Sequence, residues 1–400
     1  MTAILRDRVG QLSLSSLYSL TVRSQGIDAE YVSLEDVVPP YEVDVNEDQT
    51  LPQEFYDDVA QAFGERIKEC DSRVPVVTGF FGPIPGSLLH QVGRGYTDLC
   101  AALLAAGLEA SELQIWKEVD GIFTADPRKV PTARLISAIS PEEAAELTYY
   151  GSEVVHPFTM EQAIRKSIPI RIKNVENPRR NGTVIRPNTE DNNSSSATIS
   201  HPVPEPITSK SFQNLMREAE ATQRKRSPTA VTIKENIVIL NINSNRKSGF
   251  LANIFSILDK FGVVVDLIST SEVHVSMAFE DYPPRNIFER LIRELNHIGT
   301  VDIFRDMTIL SLVGKEMRTM VGIAGKMFTT LAQGNINIEM ISQGASEINI
   351  SCVIRSRDAV RALNLIHQTC LQIKPEGVTG GLYVSTIISN KPYIAGPWLF

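Results

Sequence analysis

The sequence predicts an α/β protein joined to a duplicated α+β region, on three observations. Strand-like and helix-like segments alternate before residue 187, a polar segment interrupts the chain at 187–210, and a strand–turn–helix–strand–strand pattern then occurs twice. Alternating strands and helices predict a mainly parallel sheet between helices, with ligands at the carboxyl ends of the strands. At 400 residues the chain can hold two or three domains with sizeable cores.

In the first part, "VPVVTGFFG" (74–82), "LQIWKEVDG" (113–121) and "IPIRIKN" (168–174) read as strands, and "TDLCAALLAAGL" and "SPEEAAELTYYG" as helices. The segment 187–210, "PNTEDNNSSSATISHPVPEPITSK", is too rich in Asn, Ser, Thr and Pro to bury a face and reads as a linker. Beyond it, 237–279 and 307–354 repeat one another, with Gly249 matching Gly322 and Ser271-Glu272 matching Ser346-Glu347. Each unit is followed by a further helical pattern. The expected division is 1–186, a linker at 187–230, and two modules at 231–306 and 307–400. Modules paired side by side would hold ligand pockets where their sheets meet; a duplicated packing unit without a ligand is the alternative.

Composition narrows the function classes. A net charge of −8 and a pI near 5.4 supply no basic face for nucleic acid. No window approaches the roughly eighteen apolar residues of a membrane span. Cys70, Cys100, Cys352 and Cys370 lack C-x-x-C pairing and read as buried thiols of a reducing compartment, the cytoplasm. The Ser- and Leu-rich start, with Arg6, Arg8 and Arg23, faintly suggests a transit peptide, but Asp7 and the missing cleavage signature argue against one.

Three segments can carry chemistry. In "VGRGYTDLCAALLAAGL", Gly93 and Gly95 allow a ligand close to the backbone, Arg94 can fork onto a carboxylate, Thr97 can cap the helix, and Asp98 sits in its first turn. The amides there attract anions. A common Gly turn with a cap and a dipole partner accounts for the same residues. In "WKEVDGIFTADPRKVPTARLI", Glu118, Phe123 and Arg128 follow a strand and suit a nucleotide base and phosphates, although Asp126-Pro127 could equally just start a turn. In "YYGSEVVHPFTMEQAI", His156 reads as structural rather than catalytic.

In order and spacing, these motifs resemble the aspartate kinases of the amino acid kinase family, with "GRGYTD" in its fungal-type wording. The repeat resembles their paired ACT regulatory modules. The resemblance implies the amino acid kinase fold, incomplete at the amino terminus, and transfer of the γ-phosphoryl group of ATP, with Mg2+, to the β-carboxylate of L-aspartate. It implies that Arg94, Thr97 and Asp98 are catalytic, that Phe80, Arg94 and Thr97 contact the substrate, and that Glu118, Phe123 and Arg128 face ATP. Phe123 stands where many relatives carry Tyr, and Glu153 departs from the "GAKVLHP" of bacterial relatives, so it receives no role. No metal ligand is assigned.

In the repeats, the amides of Ser248, Gly249, Phe250, Leu251 and Ala252 can receive an amino-acid carboxylate. Asp266 can pair with an ammonium, Ser271 offers a hydroxyl, and Gln343 with Ser346 can complete a pocket or a subunit contact. A helix cap and a solvated strand-end carboxylate are the plain alternative for Ser248 and Asp266. The resemblance implies that these positions bind a feedback amino acid, threonine rather than lysine, in a homo-oligomer joined through the ACT modules.

One departure is large. Family members begin with a strand ending in a Lys-Phe-Gly-Gly motif, whose lysine neutralises phosphate charge, and carry a Gly-Glu segment that grips the substrate amine. Neither occurs here, and only "QGIDAEYVSLEDVV" fits the family's second helix and strand. One preorganised charge contact is worth about 3 kcal/mol in the transition state. An amino-terminally truncated form or faulty gene model, weakly active or inactive as written, is therefore expected. The alternative function is an amino-acid-binding regulatory subunit.

Overall fold

The computed structural model describes residues 3–5, 14–40, 51–82, 84, 95–151, 155–186, 227–243, 249–271, 274–281, 284–344 and 348–371. Arg94, Glu153, Ser248 and Ser346 and the 187–210 linker lie outside them.

The first part runs β1 (Ala3–Leu5), α1 (Leu14–Ser24), β2 (Ala29–Val32), α2 (Gln53–Lys68), β3 (Val74–Thr78) and α3 (Tyr96–Gly107). It continues through β4 (Leu113–Lys117), β5 (Ala138–Ile139), α4 (Pro141–Tyr149), α5 (Pro157–Arg165), β6 (Ile170–Asn174) and β7 (Thr183–Ile185). Its strands form a parallel sheet ordered β1-β3-β2 and a second sheet ordered β4-β6-β7-β5, antiparallel at β6–β7. Contrary to the sequence reading, a short strand, β1, does run beside β3, with Ala3 opposite Val76.

Helix α3 is apolar on all sides because it feeds two cores, as a helix without a polar face must. Leu99, Leu103 and Leu104 pack with Phe55, Val59 and Phe63 of α2, whereas Ala102 and Ala105 face Ile115, Ile170 and Ile172. The crossing of α2 and α3 is close enough to require glycine. A methyl on Gly107 would sit 1.8 Å from the carbonyl oxygen of Ala60, and one on Gly64 2.3 Å from that of Gly107.

The second part runs β8 (Ala230–Asn243), α6 (Phe250–Lys260), β9 (Leu267–Thr270), β10 (His274–Glu280), α7 (Arg285–Asn296) and β11 (Thr300–Val313). A 3-10 turn (Lys315–Thr319), α8 (Ile323–Gln333), β12 (Met340–Ser342), β13 (Asn349–Arg355) and α9 (Ala359–Cys370) follow. The expected repeat is present, including Gly249 and Gly322, which start α6 and α8 in the left-handed region at φ 78° and 86°.

The two modules share one six-stranded sheet, ordered β12-β13-β11-β8-β10-β9. The long strands β8 and β11 pair along both halves, and the register shifts between Phe304 and Ile309. Asn236 and Asp306 adopt φ of 58° and 59° where the strands pass from one module to the other. A bulge of this kind bends and twists the ladder. Val231 and Ile233, at the start of β8, join the core of the second module with Leu310, Leu312, Met327 and Leu363. The first residues of β8 thus pack with the second module.

Candidate active site at the ends of β3 and β4

The chain leaves β3 through Gly79 and Phe80. Thr78 Oγ1 donates to the Phe80 carbonyl at 2.9 Å and accepts from the Leu34 amide at 3.2 Å, which fixes the turn. Phe80 is half-buried and packs, with Tyr96 of α3, on the α2–α3 core. The first turn of α3 and the exit of β3 therefore border one space.

At that turn the N-cap is Gly95, with no side-chain cap bond. Thr97 lies inside the helix, which corrects its expected capping role and leaves it half-buried at the site. His156, the N-cap of α5, accepts the Phe158 amide at 3.3 Å and covers Gly95, where an added methyl would lie 3.3 Å from its Cβ. Its ring nitrogen thus caps α5.

Asp98 does not stand alone. Lys117 Nζ, at the carboxyl end of β4, lies 3.2 Å from Asp98 Oδ2 in a pair whose side chains are only 32% and 25% exposed. The "GRGYTD" helix and the "WKEVDG" strand therefore meet at an ion pair. Sequence reasoning missed Lys117, although its signal was present in the residue directly before Glu118 at the strand end.

Glu118 follows, exposed, and Asp120 is taken up structurally by Asn174 Nδ2 at 2.9 Å and Arg180 Nη1 at 2.9 Å. The segment after Gly121 returns on itself through Thr124 N–H to Arg134 O and Ile136 N–H to Ile122 O, both at 2.8 Å, and holds Phe123 half-buried opposite Leu135. Arg128 stands at its tip, 87% exposed and folded onto Asp126, with Nε 3.0 Å from Oδ1 and Nη2 2.9 Å from Oδ2. Burial works to raise the Asp126 pKa, but the hydrogen bonds and charge of Arg128 outweigh it and hold the carboxyl below its ordinary value. Asp126 also accepts the Arg128 amide at 3.0 Å, so the turn noted in the sequence is real and orients the guanidinium. This loop borders a cleft of about 570 Å3 shared with Lys234 and Glu235 of β8 and with Tyr149.

The second part abuts this region through Glu143 of α4. Its buried carboxylate accepts from Thr229 Oγ1 at 2.6 Å, the Lys315 amide at 2.7 Å and the Ser140 amide at 3.2 Å. In the first module, Gly249 and the buried Phe250 begin α6, Leu251 and Ala252 are exposed there, Ser271 closes the β9–β10 turn, and Gln343 is exposed just past β12. Asp266 already has an ammonium partner within the chain: Lys234 Nζ lies 2.7 Å from Oδ1, and the Asp266 side chain is 3% exposed. Burial, followed by the nearby Asp266 charge, pushes the Tyr149 phenol up to about 12. The four cysteines are buried and free, and burial raises the Cys352 thiol to about 12. Among the described residues no helix is long and apolar enough to cross a membrane.

Comparison with known proteins agrees with this arrangement. The sequence profile of the amino acid kinase family matches residues 8–174, and an ACT domain profile matches residues 310–369. The aspartokinase of Schizosaccharomyces pombe is 55% identical over 355 residues, covering 88% of this chain and 66% of that protein. The aspartokinase of Saccharomyces cerevisiae is 53% identical over 368 residues, covering 90% and 67%. The chain thus spans about two thirds of the length of these relatives. Among solved structures, Escherichia coli aspartokinase III in complex with aspartate and ADP superposes with a TM-score of 0.67 at 26% identity, covering 89% of this chain and 72% of that one. Clostridium acetobutylicum aspartate kinase gives a TM-score of 0.68 at 25% identity, covering 89% and 74%. A kinase-type α/β part whose motif helix and strand meet at Asp98 and Lys117, followed by paired ACT-like modules, together with these likenesses, places the chain in the aspartokinase family.

Proposed function

We propose that this chain transfers the γ-phosphoryl group of ATP to the β-carboxylate of L-aspartate, giving 4-phospho-L-aspartate, a first step toward threonine, methionine and homoserine. The observation that carries the reading is the Asp98–Lys117 pair, which joins the substrate-side helix to the nucleotide-side strand. Phosphoryl transfer requires alignment and neutralised charge rather than a covalent nucleophile. Lys117 supplies a cation where the transferred group would pass, Thr97, Phe80 and Arg94 bind aspartate, and Phe123 and Arg128 hold the nucleotide. The aspartate and ADP of the E. coli aspartokinase III complex support this choice of ligands.

Magnesium fits the donor set. The described residues contain no cluster of three His, Cys, Asp or Glu, and magnesium needs only one or two carboxylates beside phosphate oxygens. Asp98 and Glu118 would be those carboxylates. The bound ion would neutralise phosphate charge.

Threonine is the proposed feedback effector, received at the start of α6 with Ser271 and Gln343. Lys234 Nζ already pairs with Asp266 Oδ1, which supports an effector that brings no second ammonium to that carboxylate. The exposed apolar residues Leu251, Phe255 and Val264 support a homo-oligomer joined through this module, and the buried free thiols support a cytoplasmic setting.

A second reading, a chain that acts as an amino-acid-binding regulatory subunit, rests on the ACT domain match over residues 310–369. Trapping with hydroxylamine separates the two. Aspartyl β-hydroxamate formed from ATP, magnesium and L-aspartate, and suppressed by threonine, supports the kinase; threonine binding without hydroxamate supports the regulatory subunit.

A further inference from the structure

His367 of α9 is fully buried and touches both arms of the loop that carries Arg128. Its Nε2 lies 2.9 Å from Thr124 Oγ1 and its Nδ1 3.3 Å from Thr132 Oγ1. Thr124 Oγ1 also accepts the Arg134 amide at 2.9 Å, so one hydroxyl ties the imidazole to both arms of the loop. Burial, followed by the charge of Arg134, pulls the imidazole pKa below its ordinary value.

Other contacts run the same way. Asn364, on the preceding turn of α9, donates to the Lys129 carbonyl at 3.0 Å, and the Val231 amide of β8 donates to the Thr124 carbonyl at 2.9 Å. Ala125 and Val130 of the loop lie in the core of the second module with Leu363 and Ile366. The loop is thus built partly on the regulatory module, while its exposed tip, Arg128, faces away from that core.

We propose that His367 is a positioning residue for nucleotide binding: it sets the loop at 124–132, and so ties the affinity for ATP to the position of α9. This rests on the reading of that loop as the nucleotide loop. A buried histidine that merely fills the core would make no distinction between the two substrates. A hinge pin at both arms of one loop affects that loop alone.

The test uses the full chain with His367→Phe, His367→Gln and Thr132→Val, and two readouts. One is the rate of tryptic cleavage after Arg128, which requires no activity; the other is KM for ATP against KM for aspartate. Loss of two part-buried hydrogen bonds in His367→Phe is expected to raise the cleavage rate and the KM for ATP by about tenfold, with the KM for aspartate within about twofold. His367→Gln, which keeps polar groups, recovers part of both. Unchanged cleavage and unchanged KM for ATP overturn the proposal, as does a rise in both KM values with faster cleavage throughout the chain. Should His367→Phe fail to fold, Thr132→Val decides, with a shift of about threefold in the same direction. A wild-type chain without aspartate-dependent turnover refutes the kinase reading, whereas cleavage after Arg128 still shows whether His367 holds the loop.

Discussion

Lys117 Nζ lies 3.2 Å from Asp98 Oδ2, and this contact joins the two sequence motifs that sit on separate elements, α3 and β4. The pair is partly exposed, so its contribution to folding is small, below about 1 kcal/mol. On the proposed kinase reading its contribution to catalysis is larger, because charge placed in advance acts on the transition state. Lys117→Met is expected to lower kcat about a hundredfold, and Asp98→Asn at least as much, while thermal unfolding shifts little. Steady-state rates and Tm of the two variants check this.

Among the described residues Arg128 pairs with Asp126, and its side chain is 87% exposed. Its exchange for alanine should therefore leave the fold intact and raise the KM for ATP about tenfold, the loss of one charge-assisted contact to phosphate. A matching rise in the KM for aspartate would place Arg128 elsewhere.

Glu143 is the polar joint between the two parts. Replacing it with alanine leaves the Lys315 amide and the Thr229 hydroxyl without their buried acceptor and removes the capping box of α4. A loss of about 3 kcal/mol in urea unfolding is expected. Glu143→Gln retains one acceptor oxygen and should lose less.

Lys234 Nζ pairs with Asp266 Oδ1, so Lys234→Met leaves a buried charge open to a ligand ammonium. Calorimetry should show lysine binding to the variant at least about tenfold more tightly than to the wild type, with threonine unchanged. Equal lysine affinities would remove Asp266 from the effector pocket.

The alternation of strands and helices and the doubled module were legible because each rests on local periodicity, as in α3 or in the matching Gly249 and Gly322. Contacts across the chain were not. Thr97 was read as a cap because Ser and Thr favour that position, but Gly95, two residues earlier, is the N-cap and Thr97 lies in the helix. Lys117 was passed over because a lysine at a strand end is ordinary; only the approach of α3 gives it a partner. His367 stands 243 residues from Thr124, and no periodicity links a regulatory helix to a nucleotide loop. Nor does the sequence show that β8 is one unbroken strand whose two halves enter different cores.

The most direct measurement is ADP release by the purified chain given ATP and magnesium, with and without L-aspartate, beside Asp98→Asn. The account expects aspartate-dependent release by the wild type, reduced about a hundredfold or more in the variant. No aspartate-dependent release by the wild type, or equal rates in the two proteins, would contradict it.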